Sequence, residues 1–158
     1  KIGVYFVGAV QEEVGSRGGK VAAQAIKPNV GFAIDVTHAS DVPEGNVKHG
    51  GLVKLGEGAG IFRNANNTEA LLQRMLKVAK AKKIKHQLLP HYQSVSWTDA
   101  SVLQVVEGGV ATALVGIPNR YMHSQVEMCD MVDVESAINI IAETVLTFKP
   151  TDKWLPEI

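Results

Sequence analysis

Val30-Gly31-Phe32-Ala33-Ile34-Asp35-Val36 is a short apolar run that carries a carboxylate close to its end. Continuous apolar character without polar alternation predicts a strand covered on both faces, as in a parallel sheet. Upstream, Ile2 to Val10 has the same character. Downstream it returns in Val110 to Ile117, which Pro118 is expected to end. Helical patterns separate these runs. Gly15-Ser16-Arg17-Gly18-Gly19 leads into a small-residue helix from Lys20 to Ile26, closed by Pro28-Asn29. Thr37 to Gly60 is glycine-rich and reads as loops around short strands. Asn66 is expected to cap a helix with Glu69 three residues on, an apolar stripe of Leu71, Leu72, Met75, Leu76 and Ala79, and a solvated face of lysines over 77–85. His86 to Tyr92 alternates as a strand would. Thr98-Asp99 opens a short helix through Val106 that Gly108-Gly109 stops. Asp133 is expected to cap a last helix, whose apolar positions are Val134, Ala137, Ile138, Ile141 and Val145. Strands alternating with helices predict an α/β domain with a largely parallel sheet.

The 158 residues hold 16 Lys+Arg against 16 Asp+Glu, 46% hydrophobic and 20% charged, the composition of one globular domain. Net neutrality argues against nucleic-acid binding driven by charge. No apolar run approaches the ~18 residues of a membrane span. A single cysteine, Cys129, excludes an intrachain disulfide and suits a reducing, cytoplasmic setting. The first apolar run begins at Ile2 without a lead-in, which suits the start of a domain or a piece of a longer chain equally.

In parallel sheets the ligand crevice lies past the carboxyl ends of the strands. Glu12-Glu13 follows the first run, Asp35 lies near the end of the second, and His123 stands in the loop after the strand ending at Ile117. Adjacent carboxylates on extended backbone point to opposite sides, so one can bind a metal while the other faces the water on it as a general base. The pair is equally what a helix N-terminus attracts electrostatically. Asp35 must be solvated, paired or metal-bound, or else cap the loop at Thr37-His38. His38 and Asp41 lie nearby in a composition common in loops without ligands. A lone loop histidine such as His123 is more often structural than a ligand, and His49, His86 and His91 have no partner spacing. Other templates fail: there is no His-Glu-x-x-His, no Cys-x-x-Cys and no phosphate loop, and Ser16 lacks a nucleophile-elbow setting.

Val10-Gln11-Glu12-Glu13-Val14-Gly15, Ala33-Ile34-Asp35-Val36-Thr37-His38-Ala39 and Ile117-Pro118-Asn119-Arg120-Tyr121-Met122-His123-Ser124, followed by Val126-Glu127-Met128, occur in order and in register. Together they resemble the tetrahedral, or deblocking, aminopeptidases, co-catalytic metallopeptidases that include glutamyl aminopeptidases and proteins labelled cellulase M. Lys54-Leu55-Gly56-Glu57-Gly58 and Thr98-Asp99-Ala100 add weaker support. The resemblance implies the three-layer α/β/α sandwich of the zinc exopeptidases, incomplete at its N-terminus. It places the general base at Glu12 and metal ligands at Glu13, Asp35 and His123. It further implies two divalent ions, zinc or cobalt, peptide substrates, attack by a metal-bound hydroxide on the N-terminal peptide bond, and a homo-oligomer in the complete protein.

Gln125, Ala111 and Ser96-Trp97 depart from the family pattern without removing a ligand. The family's further His ligand, its bridging Asp and its inserted β domain belong to segments N-terminal to the first run. Residues 1–158 are therefore expected to be the C-terminal part of a catalytic domain. Two other readings compete with the enzyme. An endoglucanase needs two carboxyls about 5–9.5 Å apart across a sugar, which neighbouring residues serve poorly. A non-catalytic metal-binding fragment would leave an exposed sheet edge.

Overall fold

Along the chain the elements are α1 (Arg17–Ile26), β1 (Val30–His38), β2 (Ala59–Arg63), α2 (Glu69–Lys82), β3 (His86–Pro90), α3 (Asp99–Leu103), β4 (Ala111–Arg120), β5 (Met128–Cys129) and α4 (Met131–Val145). They come from a computed structural model, which describes residues 2–43, 45, 47, 51–90 and 97–156. The strands lie in the order β1-β4-β2-β3, with β5 beside the end of β4. β1 and β4 run parallel from Val30 opposite Ala111 to His38 opposite Asn119, and β2 and β3 run parallel from Ala59 opposite His86 to Arg63 opposite Pro90. The antiparallel ladders are short: Gly60 and Ile61 face Gly116 and Val115, and Asn119 and Arg120 face Cys129 and Met128. The expected α/β class is found, with an open, mostly parallel sheet.

Period-2 alternation along β4 divides the core. Ala113 and Val115 face the layer of α2 and α4, where they pack with Ile61, Leu71, Leu72, Met75, Ala137 and Ile140. Leu114 faces the other side with Ala33, Phe62, Leu89 and Ala100 of α3. Ala23 of α1 packs with Val106 and Val110 beyond it. Helices thus cover both faces. Leu71, Leu72 and Met75 are fully buried, and truncating such a side chain to Ala typically costs about 2–5 kcal/mol.

The structure corrects several boundaries. Ile2 to Val10 forms no strand: it pairs with no described strand, and Phe6 is 97% exposed. Apolar character alone does not make a strand, because the backbone N–H and C=O groups need a neighbour to bond. The end of β1 is likewise open, with Ile34 and Val36 exposed. β2, unanticipated, starts between glycines that read as breakers. A Cβ at Gly60 would lie 2.5 Å from Leu89 Cδ1, so a side chain there would displace Leu89. His86 to Tyr92 is a strand as far as Pro90; His91, Tyr92 and Ser96, like His49, lie outside the described residues.

Pro118 does not end β4. Ala111 N donates to Asn29 O and Asn119 O accepts from Ala39 N, so odd positions bond toward β1. Even positions turn the other way: Thr112 N donates to Thr68 Oγ1 and Leu114 N to Asn67 Oδ1. The missing N–H of Pro118 falls on that side, beyond the two positions paired with β2, where no ladder bond is lost.

Two caps also differ. Thr68, not Asn66, stands at the N-cap of α2, and buried Asn66 accepts from Thr112 Oγ1 at its carbonyl. Asp130 caps α4 by accepting from Val132 N. Asp133 reaches across instead, fully buried, and accepts from Gly56 N at 2.8 Å and Gly58 N at 2.7 Å. The buried face of α4 is accordingly Asp133, Ser136, Ala137, Ile140 and Thr144, and Ile138 is exposed. Gly58, at φ +95°, lies too close to the backbone of Lys85 for a side chain. Its segment is therefore held by hydrogen bonds rather than packing. Because two backbone amides would lose their acceptor, Asp133→Ala is expected to lower stability by about 3 kcal/mol and Asp133→Asn by less, read from the midpoint of urea denaturation.

Candidate active site

The register of β1 and β4 brings Asp35, His38 and the loop after Arg120 to one end of the sheet. Glu12 and Glu13 reach the same rim from a turn, not from an extended strand. Gly15 N and Ser16 N both donate to Glu12 O, at 3.0 and 2.9 Å, with Gly15 at φ +110°. Ser16, also left-handed at φ 51°, starts α1. The two carboxylates have different neighbours. Glu13 Oε1 lies 3.5 Å from His123 Nε2, in an exposed contact, whereas Glu12 feels Asp35, Asp99 and the Ser16 hydroxyl.

His123 is held by its backbone. Its N–H donates to Glu127 Oε1 at 2.6 Å, while Glu127 Oε2 accepts from Asn119 Nδ2 at 3.0 Å. Asn119 Oδ1 accepts in turn from Met128 N. This clasp closes the loop on itself, with Tyr121 and His123 both at positive φ. The imidazole meets that of His38 edge-on, ring centroids 6.4 Å apart.

Burial raises the pKa of the Glu12 carboxyl, and the charges of Asp35, Glu13 and Asp99 push the same way against the Ser16 hydroxyl. Asp35 is also raised, mainly by burial and further by Glu13 and Asp99; its bond from Val36 N and the nearby His123 oppose this. Asp99 is raised by burial. His38 is lowered by burial and by His123. The rim therefore gathers negative charge that its own residues do not neutralise. Asp41 stands apart: Arg120 engages it through two hydrogen bonds, at 2.9 and 2.6 Å, and Leu55 N donates to it.

All four residues singled out from the sequence thus lie at one rim. Among the described residues, however, no group of three or more His, Cys, Asp or Glu side chains converges closely enough to hold a metal ion. Asp99 and Ser16 belong to this cluster and were not anticipated. Thr98-Asp99 reads locally as a helix start and Ser16 as a loop residue. The signal available was Gly19, where a Cβ would lie 2.4 Å from Asp99 Oδ1. Cys129 is exposed and free, and His86 Nδ1 lies 2.9 Å from Ile84 O.

The Arg120 partnership depresses the Asp41 pKa. Its stabilisation is present above the unfolded value near pH 4 and is lost as pH falls through the lower folded value. Chemical denaturation should find Asp41→Asn less stable than wild type by a steady margin above about pH 5, closing below about pH 4. An unchanged margin at about pH 2 would contradict this account.

Residues 1–140 match the family model described as M42 glutamyl aminopeptidase. A lysyl aminopeptidase of Pyrococcus furiosus is 42% identical over 149 residues, covering 94% of this chain and 42% of the relative. The structure of a TET aminopeptidase from a marine sediment archaeon of the Thaumarchaeota superposes with a TM-score of 0.82 at 30% identity, over 90% of this chain and 40% of that one. The TET1 peptidase of Pyrococcus horikoshii, which can assemble into a tetrahedron or a large octahedral shell, superposes with a TM-score of 0.66 at 28% identity, over 87% and 38%. The chain spans about two fifths of the length of these relatives, and by the extent of its match it belongs to the M42 glutamyl aminopeptidase family.

Proposed function

We propose that residues 1–158 are the C-terminal part of the catalytic domain of a metal-dependent aminopeptidase, in which Glu12 is the general base and Glu13, Asp35 and His123 are metal ligands. The observation that carries this reading is the gathering of those four side chains at the carboxyl ends of β1 and β4, with Glu13 against His123 at 3.5 Å. Carboxylates and an imidazole suit a divalent ion such as zinc or cobalt. Three mutually repelling carboxylates provide a further electrostatic reason for a cation there. Their spacing leaves the ligand set open, and the remaining ligands, two ions in all, come from the part of the protein outside these residues.

When bound, the metal supplies Lewis-acid polarisation of the scissile carbonyl and acidifies a water. Glu12 takes the proton of the attacking water and passes it to the departing amine, so that it ends the cycle ionised. A raised pKa suits that task, because a carboxylate with a higher pKa is a stronger base. Substrates are peptides, cleaved at the N-terminal residue, and the complete protein is a homo-oligomer like the TET peptidases it resembles. Among the described residues no helix is long and apolar enough to cross a membrane; the unpaired Cys129 agrees with a cytoplasmic setting.

The test uses the full-length protein. It is expected to cleave aminoacyl-anilides and to release no reducing sugar from carboxymethylcellulose. Glu12→Gln should lower kcat by about 10²–10⁴-fold with unchanged metal content; activity at the wild-type level would remove Glu12 from its role. A chelator should abolish cleavage, and zinc or cobalt should restore it. Asp35→Asn and His123→Ala should each lower bound metal measured by atomic emission, and full occupancy in both variants would exclude them as ligands.

A further inference from the structure

Residues 121–127 join β4 to β5 without a core of their own: their side chains are exposed, apart from a half-buried Met122. A connection with so little apolar burial depends on hydrogen bonds for its shape. Local turns supply two of them, Ser124 N donating to Tyr121 O at 3.1 Å and Val126 N to Ser124 Oγ at 3.3 Å. His123 N is bound differently. It donates at 2.6 Å to Glu127 Oε1, and the other oxygen of that carboxylate accepts from Asn119 Nδ2 at 3.0 Å. Asn119 is the fixed end of this path. It is buried, its carbonyl accepts from Ala39 N just past β1, and its side-chain oxygen accepts from Met128 N. One carboxylate thus ties the His123 backbone to a buried residue of the sheet.

Held there, His123 has φ +63°, a conformation that is costly for a residue with a Cβ. Backbone dihedrals decide where the Cα–Cβ bond points, so relaxation to negative φ would swing the imidazole to another direction. In the held conformation its Nε2 lies 3.5 Å from Glu13 Oε1, and the ring meets His38 edge-on. The contact with Glu13 is exposed, and exposed ion pairs restrain side chains weakly. The direction of the ring is therefore set through its backbone.

We propose that Glu127, anchored on Asn119, is a positioning residue that presets the His123 imidazole for a divalent cation. The proposal rests on the reading of His123 as a metal ligand. Both Glu127 oxygens are engaged by hydrogen bonds, so the carboxylate holds backbone and leaves the ion to the ring.

Cobalt(II) binding to the metal-free full-length protein, measured by competition with a chromophoric chelator, tests this. His123→Ala identifies the site concerned as the one it weakens. At that site Glu127→Ala should raise Kd about 10-fold. The urea midpoint of the metal-free protein should stay near the wild-type value, because the Glu127 side chain is exposed and outside the core. Glu127→Gln, which loses the charge but keeps an oxygen for His123 N, should recover part of the affinity. In a His123→Ala background, Glu127→Ala should cost nothing further, because its effect passes through the imidazole. Wild-type affinity in Glu127→Ala would overturn the proposal, as would a loss of affinity that comes with a matching fall in the urea midpoint. A further loss in the His123→Ala background, or a Gln variant as weak as the Ala variant, would mean that the carboxylate acts by its charge alone and would overturn it too. If His123→Ala itself binds cobalt(II) as tightly as wild type, the functional reading of His123 fails, and this inference with it.

Discussion

The parallel pairing of β1 with β4 is the constraint on which the rest of the molecule depends. It aligns the carboxyl end of one strand with that of the other, His38 opposite Asn119, and so sets Asp35 and the His123 loop at a common rim. The turn that precedes α1 carries Glu12, Glu13 and Ser16 to that rim, and the start of α3 brings Asp99 there. A single change in register would alternate every inward side chain of β4 to the wrong face, removing Ala113 and Val115 from one core and Leu114 from the other.

On its other side β4 is less regularly bonded, and side chains take the place of a ladder. Asn67 links the strands by donating to Phe62 O and accepting from Leu114 N; Thr68 and Thr112 exchange bonds one step further along. The glycine-rich approach to β2 is treated alike. Asp133 binds the amides of Gly56 and Gly58, Ser136 Oγ accepts from Ala59 N, and Gln87 bridges Lys54 and Gly58. These polar residues are buried or half-buried because they satisfy backbone that irregular geometry would leave unpaired. The same irregularity lets the antiparallel contact of β2 with β4 sit inside an otherwise parallel sheet.

Regular elements were legible because their burial repeats. The stripe on α2 is buried at Leu71, Leu72, Met75 and Ala79 as its spacing predicts, and the apolar character of β4 shows at every inward position. Illegible features depend on partners distant in sequence. Asp133 looks like a cap because its neighbours are helical; its actual partners lie more than seventy residues away. Pro118 looks like a terminator because its free side cannot be known before the pairing is. Ile2 to Val10 looks buried because apolarity is local, whereas a strand's neighbour is not. At the rim, the order and register of three motifs located Glu12, Glu13, Asp35 and His123. Asp99 escaped because its signature is the absence of a side chain at Gly19.

The rim departs from the economy of the rest of the fold. Elsewhere buried carboxylates are matched: Asp133 has its two amides, and Asp41 has the Arg120 guanidinium. At the rim burial raises the pKa of Glu12, Asp35 and Asp99, the charges of Asp35 and Asp99 raise Glu12 further, the charge of Asp99 also raises Asp35, and one Asp99 oxygen has no hydrogen bond among the described residues. A chain that satisfies its loops this thoroughly has the means to neutralise three carboxylates, and places an exposed histidine and a hydroxyl beside them instead. Such crowding destabilises a protein considered alone and strengthens any cation or proton that enters. On the function proposed above, the burial and repulsion that raise the Glu12 carboxyl would belong to the same crowding that favours a cation at Glu13, Asp35 and His123, so base strength and metal affinity would be set by one arrangement of charge.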